Sequence, residues 1–306
     1  MIKIYKKTVK EAELTEVNDF ILGSWVRVVD PTQEEVQLLA DKTGIALDIL
    51  EDAVDEAELP RIEYDQGNLV AIIRVPVSNG DGVTSIPLTI IITNRYIVTI
   101  SIKSNEIIKL FLENKIECFT TQKSKFLLKI LDQTNRSYDK LIKGISKNIS
   151  RQKYKLDSLK NKDIFNLVQQ EEVLNNFISS LVPNSNVFDR ILKGKYLKLY
   201  EQDEELVEDL LIDVRQVIDL CNTNIKTIKN VREAYQTILS NNLNKLLKFL
   251  TSITIILTLP TIIASIYGMN VELPGGGSHF AFYYIAGFTI IVMAAAYAIF
   301  NWKKWL

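Results

Sequence analysis

Thr251, Thr254, Thr258, Thr261 and Ser265 recur at intervals of 3, 4, 3 and 4 residues, so on a helix their hydroxyls form one stripe on a wall otherwise rich in isoleucine and leucine. A polar face on an apolar helix suits a water-filled path. The same spacing also serves helix packing, where small hydroxyl residues bond their own i−4 carbonyl or a neighbouring helix, and from the stripe alone the two uses stand level. Upstream, Asn244 and Leu247 fall on the same face with Leu250 beside it, and rings of such leucines form apolar constrictions that close by dewetting. Pro260 frees the carbonyl of Ile256 and permits a bend there.

At the far end the helical pattern stops at Gly268-Met269-Asn270, where glycine releases the backbone and an asparagine oxygen can turn toward a common axis. That oxygen is a hard, neutral ligand. Mg²⁺ gives up water reluctantly, so a ring of neutral oxygens can hold its hydration shell without trapping it as buried carboxylates would. Glu272 lies just beyond, where it would concentrate cations at the outer mouth. The tripeptide alone also fits an ordinary helix C-cap.

The stripe lies in one of two charge-free stretches. Residues 249–267 and 280–302 contain no Asp, Glu, Lys or Arg, and as helices they reach roughly 28 and 34 Å, enough to cross a hydrocarbon core of about 30 Å. Lys245 and Lys248 precede the first, Lys303 and Lys304 follow the second, and residues 268–279 between them have neither Lys nor Arg. By the positive-inside rule both termini are cytoplasmic and the chain is a multi-pass protein of the cell membrane. Tyr267, Tyr283, Tyr284, Trp302 and Trp305 sit where aromatic rings anchor at the bilayer surface. The N-terminal residues carry charge without an apolar run, so they do not read as a secretory signal.

Lys plus Arg number 36 against 37 Asp plus Glu among 306 residues, so no basic field points to nucleic acid. Cys118 and Cys221 lack a second pair or a nearby His and read as buried, reduced thiols. No phosphate-binding loop, metalloprotease helix or nucleophile elbow occurs, so the chain reads as neither an enzyme nor a binder of an organic cofactor.

Ahead of the spans, Trp25-Val26-Arg27-Val28-Val29 reads as a strand, and Asp30-Pro31-Thr32-Gln33-Glu34-Glu35 as the start of a helix with acids in its first turn. The β-branched runs 68–76, 88–93 and 96–102 read as further strands, with a Gly-rich turn at 78–82. After Phe119 the period becomes helical. Leu127, Leu131, Tyr138, Leu141, Ile145 and Ile149 fit one helix face, and Ile164, Leu167, Val168, Val173, Leu174 and Phe177 fit another. From about Lys198 to Tyr267 there is one Pro and no Gly, which predicts a helix of roughly 100 Å that cannot stay inside one small domain. Lys140, Lys143, Lys147, Arg151, Lys153 and Lys155 form a basic run, and Glu201, Asp203, Glu204, Glu205, Glu208, Asp209 and Asp213 an acidic one. Each is a solvated helix face unless the acids bind divalent cations. The expected organisation is an α+β cytoplasmic domain (an α/β/α sandwich) over 1–120, a helical region over 121–245 holding the start of the pore helix, and a transmembrane domain over 246–306. The outer loop spans 268–279.

Tyr267-Gly268-Met269-Asn270 at the outer end of the first of two C-terminal spans resembles the CorA-type magnesium transporters. The likeness extends to Trp25-Val26-Arg27-Val28, Pro31-Thr32-Gln33-Glu34-Glu35, Arg61-Ile62-Glu63-Tyr64 and the run from Asn244 to Thr251 leading to Pro260-Thr261. It implies a funnel-shaped homopentamer with one long pore helix per chain and an outer Gly-Met-Asn ring for hydrated cations. The pore positions it carries over are Asn244, Leu247, Leu250, Thr254, Thr258, Thr261, Ser265, Gly268 and Asn270. It also implies regulation by cytoplasmic Mg²⁺ at acids between subunits, one of them near Asp209. The outer loop departs from the common Met-Pro-Glu-Leu pattern, with Glu272 as its single carboxylate and His279 as the chain's single His.

The expected function is passive Mg²⁺ influx, Mg²⁺ serving as both cargo and regulator. The same fold carrying Zn²⁺, Ni²⁺ or Co²⁺, with or without proton coupling, is the near alternative. A membrane-tethered coiled-coil scaffold or sensor is the alternative from another class. The partners implied are further copies of the chain and the lipid bilayer.

Overall fold

Strands in which nearly every residue is apolar must be covered on both faces, and the computed structural model meets that demand with a seven-stranded sheet between helical layers. It describes every residue except 81, 157–158, 195, 198–199 and 272–278. The strands are β1 (Ile2–Lys6), β2 (Thr15–Val17), β3 (Trp25–Val29), β4 (Arg61–Asp65), β5 (Asn68–Asn79), β6 (Gly82–Ile92) and β7 (Ile97–Ser101). Across the sheet they run β2-β1-β3-β7-β6-β5-β4. The central β3–β7 pair is parallel, with Trp25 opposite Ile97, and the other pairs are antiparallel.

Side chains on β5 alternate between two cores. Val70 and Ile72 join Val36 and Leu39 of α1 (Gln33–Thr43) and Ile49 and Leu50 of α2 (Leu47–Asp52). Leu69, Ala71, Ile73 and Val75 enter a larger core with α3 (Glu106–Leu112), α4 (Lys123–Lys153), α5 (Asn161–Leu192) and the first part of α6 (Glu201–Tyr267). The expected α/β/α layering is therefore present. α1 starts as read, on a capping box in which Thr32 and Glu35 satisfy each other's backbone N–H groups. Trp25 anchors the larger core, its indole N–H donating to Thr99 Oγ1 at 2.8 Å while its ring packs on Tyr5 and Phe126.

The structure corrects several sequence expectations. β1, β2 and β4 do not stand out from pattern alone. β4 buries only Ile62 and keeps Arg61 paired with Asp52, Glu58 and Glu63, as a charged edge strand should. The turn expected at 78–82 is tighter, because β5 continues to Asn79 and pairs it with Gly82. On α4 the far half of the apolar face shifts: Ile142 is buried, and Leu141 and Ile145 only partly. On α5 Leu167, Leu174 and Phe177 are buried as expected, but Val168 is 41% exposed. Pro183 does not end α5.

The chain divides into two compact units, Met1–Val231 and Arg232–Leu306. Within the first, α6 buries Val207, Leu210, Val214, Val217, Cys221, Ile228 and Val231. With the buried Asn224 they follow a 3-4 repeat, the seam of a helix packed along its length. The second unit holds the rest of α6 and α7 (Ala281–Trp302). α7 ends in a Schellman closure: Lys304 takes φ +56°, its N–H donates to Asn301, the Trp305 N–H donates to Phe300 at 2.9 Å, and the Trp305 and Phe300 rings stack at 5.7 Å. A lysine in the left-handed position costs about 1–2 kcal/mol relative to an unstrained residue, so the closure must offset that cost.

Where β4 ends, the outer edge of β5 is left open, and Asn184 of α5 fills it. Its Oδ1 accepts from the Arg74 N–H at 2.9 Å and its Nδ2 donates to the Arg74 carbonyl at 2.8 Å, as a further strand would. Asn184→Ala leaves the Arg74 N–H unpaired and its carbonyl with the Tyr138 hydroxyl alone, and should cost about 1–2 kcal/mol. Thermal unfolding of the detergent-solubilised chain should show Tm lowered by several degrees, and Asn184→Asp, which sets a buried carboxylate oxygen against the Arg74 carbonyl, should lower it at least as much.

Candidate ion pathway

α6 is a single 67-residue helix, so the positions from Asn244 to Ser265 share one continuous backbone and their faces follow from helix geometry alone. At about 100° per residue the five hydroxyls from Thr251 to Ser265 occupy an arc of roughly 80°. All five are exposed in the isolated chain, as are Asn244, Leu247 and Leu250. Thr254 Oγ1 donates to the Leu250 carbonyl at 2.8 Å and Thr258 Oγ1 to the Ile255 carbonyl at 2.9 Å. With donors satisfied inside the helix, the oxygens of those two hydroxyls turn lone pairs outward, an acceptor-only surface suited to cations and their bound water. Ser252, off the stripe, is fully buried and bonds the Lys248 carbonyl.

Past Tyr267 the Gly268 N–H still donates to Ala264 at 2.9 Å, and Met269 to Ile266 at 3.3 Å. A Cβ at Gly268 would lie 3.2 Å from the Ala264 carbonyl oxygen, so only glycine closes the helix end in this way without a shift. Met269 and Asn270 are exposed immediately beyond. Glu272 lies outside the described residues. His279 is exposed in the turn before α7.

The acidic run is mostly a solvated face. Asp209 and five other members are exposed, and Asp203 alone is buried. Among the described residues no three His, Cys, Asp or Glu side chains are placed to hold a metal ion. The structure thus gathers the hydroxyl stripe and the Gly-Met-Asn end on one helix, and places Asp209 in the first unit, exposed among Glu205, Glu208 and Asp213 on α6. In the basic run Lys143 pairs with Asp139 at 2.6 Å.

One feature of this helix escapes the reading of its hydroxyls. Leu239, Leu243, Leu246 and Leu250 stand 4, 3 and 4 residues apart, and each is exposed by 49–63%. They line a face beside the stripe, and their spacing was the available signal.

Both α6, through its C-terminal part, and α7 are long and apolar enough to cross a membrane, and almost nothing in either apolar window is buried within the chain. Cys118 and Cys221 are free and buried; burial raises the Cys118 thiol above its ordinary pKa and pushes Cys221 up to about 12.

A family model described as CorA-like Mg²⁺ transporter protein matches residues 23–304. The "Cobalt/magnesium transport protein CorA" of Methanocaldococcus jannaschii is 28% identical over 98% of this chain and 96% of its own length. The complete structure of the CorA magnesium transporter from the same organism superposes with a TM-score of 0.87 at 25% identity, covering 100% of this chain and 99% of that one. The full-length CmaX protein shares the fold, with a TM-score of 0.76 at 15% identity over 98% of this chain and 97% of its own.

Because raised thiol pKa values keep Cys118 and Cys221 protonated at pH 8, the wild-type chain should resist a charged methanethiosulfonate until unfolded. On that silent background Thr258→Cys should react roughly tenfold faster than Ile256→Cys, which faces the opposite side of the helix. Equal rates would show that the stripe meets no water.

Proposed function

The chain belongs to the CorA-like Mg²⁺ transporter family, and from that premise we propose that it conducts divalent cations passively, Mg²⁺ first among them, through a pore that five copies close around the hydroxyl stripe of α6. The observation that carries this reading is the charge-free stripe from Thr251 to Ser265, exposed in the single chain and ending at Gly268-Met269-Asn270. Residues 249–267 and 280–302 serve as the two spans, with both termini cytoplasmic, 1–120 as the α/β domain, 121–245 as the helical region and 246–306 as the membrane domain.

Each part has a physical task. Asn270 side chains, with the backbone at Gly268 and Met269, form a neutral ring at the outer mouth that selects a hydrated divalent ion without stripping it. Glu272 raises the local cation concentration there. Thr251, Thr254, Thr258, Thr261 and Ser265 take over hydrogen bonds from the hydration shell along the path. Leu247 and Leu250, with Asn244, form the inner constriction, which closes when its apolar rings exclude water. The leucine face beside the stripe, continued from Leu239 to Leu250, supports the association of copies that a ring requires. Asp209, exposed on α6, contributes to a cytoplasmic Mg²⁺ site shared between neighbours, so that a filled site favours the closed arrangement. The M. jannaschii relative is named for cobalt as well as magnesium, which makes Co²⁺ the second ion to test.

In liposomes carrying the purified chain and an internal Mg²⁺ indicator, external Mg²⁺ should be taken up, with Co²⁺ competing. Asn270→Ala should slow uptake roughly tenfold or more, about 1.4 kcal/mol on the barrier. Unchanged uptake removes Asn270 from the selectivity site. Mg²⁺ should also protect the wild-type pentamer from trypsin, and Asp209→Asn should shift the protective concentration upward; identical protection curves would remove Asp209 from regulation.

A further inference from the structure

The Schellman closure at the end of α7 brings Lys304, Trp305 and Leu306 against the inner part of α6, where Asn242, Lys245, Leu246 and Phe249 complete the lining of a cavity of about 490 Å³. All of these residues belong to the second unit. The charged side chains that line it, Lys245 and Lys304, are both basic. No Asp or Glu occurs in 234–271 or 279–306, and among the described residues none of Lys245, Lys248, Lys303 and Lys304 has an acid partner. Apart from Asn242 its other side-chain walls, Leu246, Phe249, Trp305 and Leu306, are apolar or aromatic. Leu246 and Phe249 are exposed by 63% and 48%, and Ile299 of α7 by 53%.

We propose that this cavity binds the phosphate headgroup of an anionic phospholipid, held between the Lys245 and Lys304 ammonium groups with its acyl chains along the apolar flank. This rests on the reading of α6 and α7 as membrane spans, which puts both lysines at the bilayer surface, where each basic side chain attracts anionic lipid. The indole of Trp305, fixed by its stack on Phe300, occupies the headgroup level where such rings settle. A free phosphate would satisfy the two ammonium groups but leave the Phe249, Leu246 and Trp305 walls unused. A lipid uses both. The closure that strains Lys304 into φ +56° is what sets its ammonium stem facing α6 in place of continuing the helix axis. The consequence is that one lipid ties the inner end of α7 to the segment of α6 that carries the proposed constriction, on another face of that helix.

The test is native mass spectrometry of the full chain in detergent, titrated with palmitoyl-oleoyl phosphatidylglycerol, with the matching phosphatidylcholine, and with inorganic phosphate. One phosphatidylglycerol per copy should survive activation that strips phosphatidylcholine, and millimolar inorganic phosphate should not displace it. The double variant K245Q/K304Q should bind phosphatidylglycerol about thirtyfold more weakly, from two lysines each contributing at the membrane surface. K245R/K304R should retain binding, which guards against a folding defect, and K140Q/K147Q on the α4 surface should leave it unchanged. Equal retention of both lipids, unaltered binding by K245Q/K304Q, or displacement by inorganic phosphate would overturn the proposal. Mg²⁺ uptake measured on the same preparations separates the two readings. Uptake without selective lipid retention removes the lipid site alone, whereas retention without uptake in any lipid removes the transport reading and leaves the site.

Discussion

A divalent cation cannot shed its water to cross hydrocarbon, and two helices cannot enclose a column of water wide enough to let it keep that water. Everything in the membrane part of this chain answers that constraint. One span carries hydroxyls along a narrow arc, no charge interrupts it, and the arc stays exposed in a single chain. The other apolar helix, α7, has no comparable polar stripe and no buried residue, which under the proposed reading suits an outer helix facing lipid. On the proposed reading the polar arc becomes a pathway only when identical chains set their arcs around one axis, and an uncharged wall would let the ion pass through without being trapped.

The first unit solves a different problem, that of holding the upstream part of a very long helix. A 67-residue helix gains little from intrinsic propensity and depends on packing. Its seam from Val207 to Val231 joins the sheet, α4 and α5 in one continuous core, and the edge of β5 is closed to solvent by Asn184 rather than by another strand. Beyond Val231 the seam loses that core. The apolar face reappears one residue out of register as Leu239, Leu243, Leu246 and Leu250, each now about half or more exposed. The drift is what a 3.6-residue helix produces against a 3.5-residue repeat.

Much of this was legible in the residues. The two apolar helices, the hydroxyl stripe, the continuous helix behind it and the start of α1 within Asp30–Glu35 follow from charge and period. What was not legible has physical reasons. β4 buries one residue and presents charge elsewhere, because an edge strand has one partner and a solvent side. In β1, Ile4 and Tyr5 serve opposite cores, so neither alternation nor a long apolar run marks it. On α4 the buried face moves from Leu141 to Ile142 because a 31-residue helix meets different neighbours along its length. The Schellman closure at Lys304 has no glycine to announce it. Glu272, assigned to the outer mouth, lies outside the described residues, so the mouth rests on Gly268, Met269 and Asn270.

The central claim is that the stripe conducts hydrated Mg²⁺ passively, and imposing a known membrane potential on proteoliposomes tests it most directly. A divalent ion gains about 4.6 kcal/mol per 100 mV, interior negative. Mg²⁺ uptake should therefore rise as a potassium diffusion potential is made more negative, with no ATP and no pH difference present, and reverse when the potential is reversed. Uptake that ignores the potential, or that appears only with a proton gradient, would contradict the account.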